Sequence, residues 1–178
     1  MADTIRTRSA ILTLLADNSA KAISAQDLRD TVISMWGVFG EMYIISGSSS
    51  QTITQTAGVL TLWNAAGESN GMTIDTSDNE IVIGTNGDGT YRVHVNISYV
   101  GDAGAKFVFQ LRKNGSAINR RGQSRALLHM DMDESKMASF HGFVTAVATD
   151  SFQIYVETDK TSEDVKVIDA QFTMERIY

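Results

Sequence analysis

The side chains best suited to proton transfer near neutral pH are three histidines, His94, His129 and His141. Each falls in a stretch that reads as strand, where a structural role outweighs catalysis. There is no cysteine, which removes thiolate nucleophiles, disulfides and cysteine metal sites. No G-x-S-x-G elbow occurs, and no glycine-rich phosphate loop followed by Lys-Ser/Thr. The best metal candidate is His129-x-Asp131-x-Asp133 with Glu134. On a strand that spacing puts three ligands on one face, where oxygens can converge on Ca²⁺. The EF-hand pattern fails for want of its glycine. A solvated edge facing the basic cluster Arg112, Lys113, Arg120, Arg121 and Arg125 outweighs the metal reading. That cluster has no interleaved aromatic platforms, so nucleic acid is not an expected partner. The chemistry thus reads as no enzyme, no catalytic residue, no cofactor and no metal.

The elements that hold these residues belong to a chain of 178 residues with no proline, 43% apolar content and a net charge of −6. Average usage would supply about 9 prolines. The composition excludes wholesale disorder and a strongly cationic nucleic-acid binder. The longest apolar run near the start, Ala10 to Ala16, is broken by Thr13 and is too short for a signal core or a spanning helix. A soluble protein made in the cytoplasm, without a membrane partner, is expected. The sequons Asn96-Ile-Ser98 and Asn114-Gly-Ser116 then read as chance.

Charge divides the chain into three zones. Residues 1–40 carry four basic and four acidic residues, and residues 89–178 carry eleven of each. Residues 41–88 have no Lys or Arg and six acids, so the net charge resides there. In the first zone Ser24 and Asp27 form a variant capping box, with Ile23 and Leu28 at staple spacing. Leu28, Val32, Met35, Trp36 and Phe39 follow as one helical apolar stripe, and Gly37 is placed to end it. A helix of about 12 residues is marginal alone, so the stripe needs a partner.

Beyond Glu41 the period becomes alternating. Tyr43, Ile45, Leu60, Leu62, Ile81 and Ile83 suggest short strands. Asn86-Gly-Asp-Gly89 is a turn, and Tyr91, Val93, Val95, Ile97 and Tyr99 then share the face of the clearest strand. Phe107, Phe109 and Leu111 alternate before an Asn114-Gly115 hairpin turn. Further strands are expected over Leu127 to Met132, Ala138 to Ala148, Phe152 to Glu157 and Val167 to Glu175. In the last, Ile168, Ala170, Phe172 and Met174 are expected on one face. Short strands at this spacing, without helices between them, indicate an antiparallel β-sandwich or jelly roll.

Three motifs carry a resemblance. Gly89-Thr-Tyr-Arg-Val93 gives G-x-Y-x-V, Leu111-Arg-Lys-Asn-Gly115 gives L-x-K-N-G, and Asp150-Ser-Phe-Gln-Ile-Tyr-Val156 gives D-x-F-x-I-x-V. Residues 89–178, reaching back towards 41, look like the TNF/C1q-like jelly roll. The resemblance implies a homotrimer. A second stretch, Leu14-Leu-Ala-Asp-Asn-Ser-Ala-Lys-Ala-Ile-Ser-Ala-Gln-Asp-Leu-Arg-Asp30, is similar to an N-terminal segment of tailed-bacteriophage structural proteins. It departs at Ser19-Ala-Lys21, where a Thr-Thr-Gly-like turn is commoner. Together they imply a virion surface protein: an anchor over 1–40, a polar β-rich connecting region over 41–88, and a trimerising jelly roll over 89–178. The expected role is a capsid decoration or cement protein, with the major capsid protein or another virion protein as partner. The alternative is a fibre knob that recognises a host surface glycan. Docking is expected through Ile23, Leu28, Val32, Trp36 and Phe39. The trimer interface is expected at His94, His141 and Tyr155, with Arg120 and Arg121 paired to Asp131 and Asp133. The loops Asn119 to Gln123 and Thr158 to Glu163 are the candidate receptor contacts of the alternative.

Overall fold

The computed structural model describes residues 10, 11, 13, 24–35, 37–102, 104–118, 123–126 and 135–177. Helix α1 spans Ala25–Met35. Its start is the expected capping box. The Asp27 amide donates to Ser24 Oγ at 3.1 Å, and the Ser24 amide donates to Asp27 Oδ2 at 2.9 Å. The Asp27 carboxylate also sits where the helix dipole favours negative charge. Gly37 lies beyond the helix at φ +80°, a left-handed conformation that suits glycine and stops the helical path. Phe39 therefore is not part of the helical stripe. It opens strand β1 (Phe39–Ile44), opposite Glu175.

The remaining strands are β2 (Ser50–Ile53), β3 (Gly58–Val59), β4 (Ala65–Asn70), β5 (Met72–Asp75), β6 (Glu80–Ile83), β7 (Gly89–Gly101), β8 (Phe107–Lys113), β9 (Ser116–Ala117), β10 (Gln123–Ala126), β11 (Lys136–Ala146), β12 (Ser151–Thr158) and β13 (Glu163–Arg176). All their pairings are antiparallel. One sheet has the order β11-β7-β13-β1-β4, with β2 also on β13. The other has the order β10-β8-β12-β6-β5, with β3 on β12 and β9 on β8. The two sheets pack their apolar sides on one core, the antiparallel sandwich expected of this alternation. The stretch 41–88, read as a connector, supplies strands to both sheets. A half-buried strand needs an apolar residue only at every second position, and Ile81 with Ile83 meets that need within a polar segment.

Two faces differ from expectation. In β1 the buried side chains are Met42 and Ile44, while Tyr43 is half-buried and Ile45 exposed. In β13 the register shifts between Val167 and Asp169. Ile168 is the extra residue of a β-bulge and is half-buried. Val165 and Val167 before the bulge thereby join Ala170, Phe172 and Met174 on the core side. Simple alternation cannot anticipate an inserted residue. The expected strand over Leu127 to Met132 lies outside the described residues, just after β10.

Strand β7 keeps its expected face: Tyr91, Val93, Val95, Ile97 and Tyr99 are all buried. Tyr99 meets Phe109 edge-on at 5.0 Å between centroids and Phe107 at 5.9 Å, locking β7 to β8 across the layers. Its hydroxyl is buried and has no hydrogen-bond partner among the described residues. Burial accordingly pushes the phenol far above its ordinary value. An orphaned buried hydroxyl costs about 1–3 kcal/mol. Tyr99→Phe is therefore expected to leave the fold intact and raise stability by about 1 kcal/mol. Urea unfolding measures this; a loss of stability would mean that the hydroxyl has an acceptor.

The two later motifs meet in space. Lys113 Nζ contacts Asp150 Oδ2 at 2.6 Å, and Asn114 Nδ2 donates to Asp150 Oδ1 at 2.8 Å. The Val147 amide donates to Asp150 Oδ2, and the Ser151 amide to Asn114 Oδ1, each at 2.8 Å. Asp150 is buried, so this node ties the turn after β8 to the turn before β12. Asn114 and Gly115 have φ of +50° and +72°, the paired left-handed residues of a tight hairpin turn.

Candidate interaction face

Alternation sends one side of each strand to the core and leaves the other for solvent or a partner. On β11 Ala138, Phe140, Val144 and Ala146 are buried. Met137, Ser139, His141, Phe143 and Thr145 point the other way. Met137 is 71% exposed and Phe143 55%. Val147, just past the strand, is exposed as well. In the same sheet Phe39, which opens β1, and Ile45, just past it, are exposed. Among the described residues, every exposed large apolar side chain outside α1 belongs to these two strands or adjoins them.

Strand β11 lies at the end of its sheet, so among the described residues one of its edges has no strand partner. A long edge strand with apolar outward residues invites pairing or packing with another chain. A shallow hollow of about 240 Å³ opens on this face beside the β13 bulge, lined by Asn96, Ser98, Met137 and Gln171 among others. Neighbouring polar groups are tied down locally. Ser139 Oγ bonds Asn96 Oδ1 at 2.7 Å, and Arg92 pairs with Glu175 at 3.4 Å. Such an exposed ion pair contributes little to stability and more to orientation.

The expected interface residues divide between the two faces. His94 and His141 stand directly opposite each other on β7 and β11, exposed, with rings nearly parallel and 5.8 Å apart. Tyr155 lies on the outer side of the other sheet, where the Arg112 guanidinium sits 4.1 Å from its ring centroid. Arg120, Arg121, Asp131 and Asp133 lie outside the described residues, as do Glu134 and His129. Of the expected docking residues, Leu28 and Val32 are exposed on α1, and Phe39 is on β1. Ile23 and Trp36 lie outside the described residues. Of the loop Asn119 to Gln123 only Gln123, in β10, is described. In the loop Thr158 to Glu163, Asp159 accepts the Lys106 amide at 2.9 Å. The apolar outer side chains on β11 were missed from the sequence. They were readable as the complement of Ala138, Phe140 and Val144.

No family model matches the chain, and no curated protein does. Solved structures do. The chain is similar to the Eiger TNF of S. frugiperda, with TM-score 0.53 and 11% identity over 80% of this chain and 93% of that one. It is similar to the globular domain of the zebrafish complement 1qA protein, with TM-score 0.53 and 12% identity over 79% of this chain and 98% of that one. At such identities the likeness concerns the path of the backbone. With two antiparallel sheets closed on one core, the chain has a TNF/C1q-like jelly-roll fold.

Proposed function

We propose that the chain is an adhesive virion protein of a tailed bacteriophage, a homotrimer that decorates the capsid surface and braces the shell after synthesis in the host cytoplasm. The observation that carries the self-association is the apolar outer side of one sheet, with Met137 and Phe143 exposed on its edge strand. Burying such surface contributes roughly 25 cal/mol/Å². A cyclic trimer uses two different patches per protomer. The His94/His141 face and the Tyr155 face are thus both available to it, and Arg120 and Arg121 are proposed to pair with Asp131 and Asp133 between protomers. The capsid-binding part rests on the likeness of residues 14–30 to phage structural proteins and on the exposed α1 stripe of Leu28 and Val32. Ile23 and Trp36 complete that anchor, and the major capsid protein or another virion protein is its partner. Three tethered anchors raise a weak contact through effective concentration.

Sedimentation equilibrium tests the core of this reading. Wild type is expected as a trimer. Met137→Asp with Phe143→Asp is expected as a folded monomer, its association weakened about a thousandfold if each side chain contributes about 2 kcal/mol. A monomeric wild type, or a variant that still trimerises, overturns it. Particle binding tests the rest: Trp36→Asp trimers should no longer decorate capsids, and copies per particle should match the local threefold positions of the shell.

A second reading, a fibre knob recognising a host surface glycan, is favoured by a cleft of about 330 Å³ beyond β1. Ser46, Ser48, Ser49, Thr61 and Asn64 give it a hydroxyl- and amide-rich rim. Trp63 lines it, and the buried indole N–H has no acceptor among the described residues. A few copies at one vertex would favour this reading over decoration.

A further inference from the structure

We propose that His94 and His141 form a chelating site for a transition-metal dication on the outer face of the β7–β11 pair. The two residues are register partners in an antiparallel ladder, which brings their Cβ atoms to about 4.5–5.5 Å of each other. Their rings already lie face to face at 5.8 Å with a 23° angle between planes. Both side chains are exposed. Rotation about χ2 can therefore turn one nitrogen of each ring towards a shared point without disturbing the core. Among the described residues neither imidazole has a hydrogen bond that such rotation would break. The nearest polar pair, Ser139 with Asn96, satisfies itself, and Glu175 offsets the charge of Arg92.

Two neutral imidazoles suit Cu²⁺, Ni²⁺ and Zn²⁺, whereas Ca²⁺ prefers an all-oxygen shell. Among the described residues no group of three or more His, Asp or Glu side chains converges anywhere. The described residues therefore supply two ligands, and water or a second molecule completes the shell. Affinity is expected to follow the order Cu²⁺ above Ni²⁺ and Zn²⁺. A bound ion would also pin the edge strand β11 to β7 and so raise the unfolding temperature. Both ligands come from one protomer, on the face the proposed trimer would use, so the inference rests on that face staying open to ions in the assembly.

The test is calorimetric titration of the untagged full chain with Cu²⁺, Zn²⁺ and Ca²⁺, together with thermal unfolding in each metal. Wild type should bind one Cu²⁺ or Zn²⁺ per chain, should ignore Ca²⁺, and should melt at higher temperature with Zn²⁺. Loss of even an outer-shell partner costs about 10- to 100-fold in metal affinity. His94→Ala and His141→Ala should each weaken binding at least about tenfold and abolish the thermal shift. His129→Ala should change neither. The electron paramagnetic spectrum of the Cu²⁺ complex should show coupling to two nitrogens. Absence of saturable binding, persistence of full binding in His94→Ala, or its loss in His129→Ala would each overturn the assignment.

Discussion

Phe172→Ala is expected to lower stability by about 3–5 kcal/mol. Phe172 sits on β13, with Met42 of β1 on one side and Val95 of β7 on the other. It is fully buried, and its ring centroid is 6.1 Å from that of Trp63. Truncation removes the transfer free energy of the ring and leaves a cavity that three packed strands cannot close. A domain of this kind is stable by about 5–15 kcal/mol, so the loss is a large share of the total. For a chain of this size each kcal/mol moves the melting temperature by about 2–4 °C, giving an expected fall of about 6–20 °C. Phe172→Leu, which fills most of the volume, should lose much less. Thermal and urea unfolding measure both. A fall below about 1 kcal/mol for the alanine variant would mean that the sandwich collapses onto the gap. Because β13 also backs the exposed face, self-association should weaken in parallel with folding.

Asp150→Ala is expected to cost about 3 kcal/mol at neutral pH. The carboxylate is buried and accepts from Lys113, Asn114 and the Val147 amide, so its removal leaves three donors to find other partners. Lys113 and Asn114 can partly turn to water, which keeps the loss below that of an isolated buried charge. The pH dependence has a definite sign. Burial raises the Asp150 carboxyl pKa, but the hydrogen bonds from Lys113, Val147 and Asn114 outweigh it, and the net value lies below the ordinary 3.8. A group whose folded value is depressed adds stability above its unfolded value. That increment is lost as pH falls from 3.8 through the folded value. Wild type and Asp150→Asn should therefore differ most at neutral pH, with the gap narrowing once pH falls below 4. Urea titrations at pH 7 and pH 3 compare the two. A gap that stays constant with pH would mean that the carboxylate is not charged in the native state.

The L-x-K-N-G and D-x-F-x-I-x-V patterns acquire a physical reason from this node. Lys113 and Asn114 from one and Asp150 from the other meet as partners across 36 residues of chain. The sequence shows both patterns but not that they touch. Likewise the polar stretch 41–88 reads as a connector. Its strands become visible as part of the sandwich only once β1 pairs with β13 and β6 with β12.

The sequence by itself determined what is local. The Ser24–Asp27 cap, the stop at Gly37, the face of β7 and the Asn114-Gly115 turn depend on residues within a few positions of each other, where backbone sterics and side-chain spacing suffice. The absence of proline leaves every residue beyond the N-terminus able to donate a backbone hydrogen bond to a ladder, which suits the thirteen strands among the described residues. Tertiary structure decided what depends on pairing between distant segments. The bulge at Ile168 appears only in the register of β13 against β7, its partner from a distant stretch of chain. The meeting of His94 with His141 follows from a register that joins residues 47 positions apart. The apolar outer face arises because β11 and β1 of one sheet, far apart in sequence, turn their spare side chains the same way. Alternation says that a strand has two faces, but only the packed sheets say which face is left for a partner.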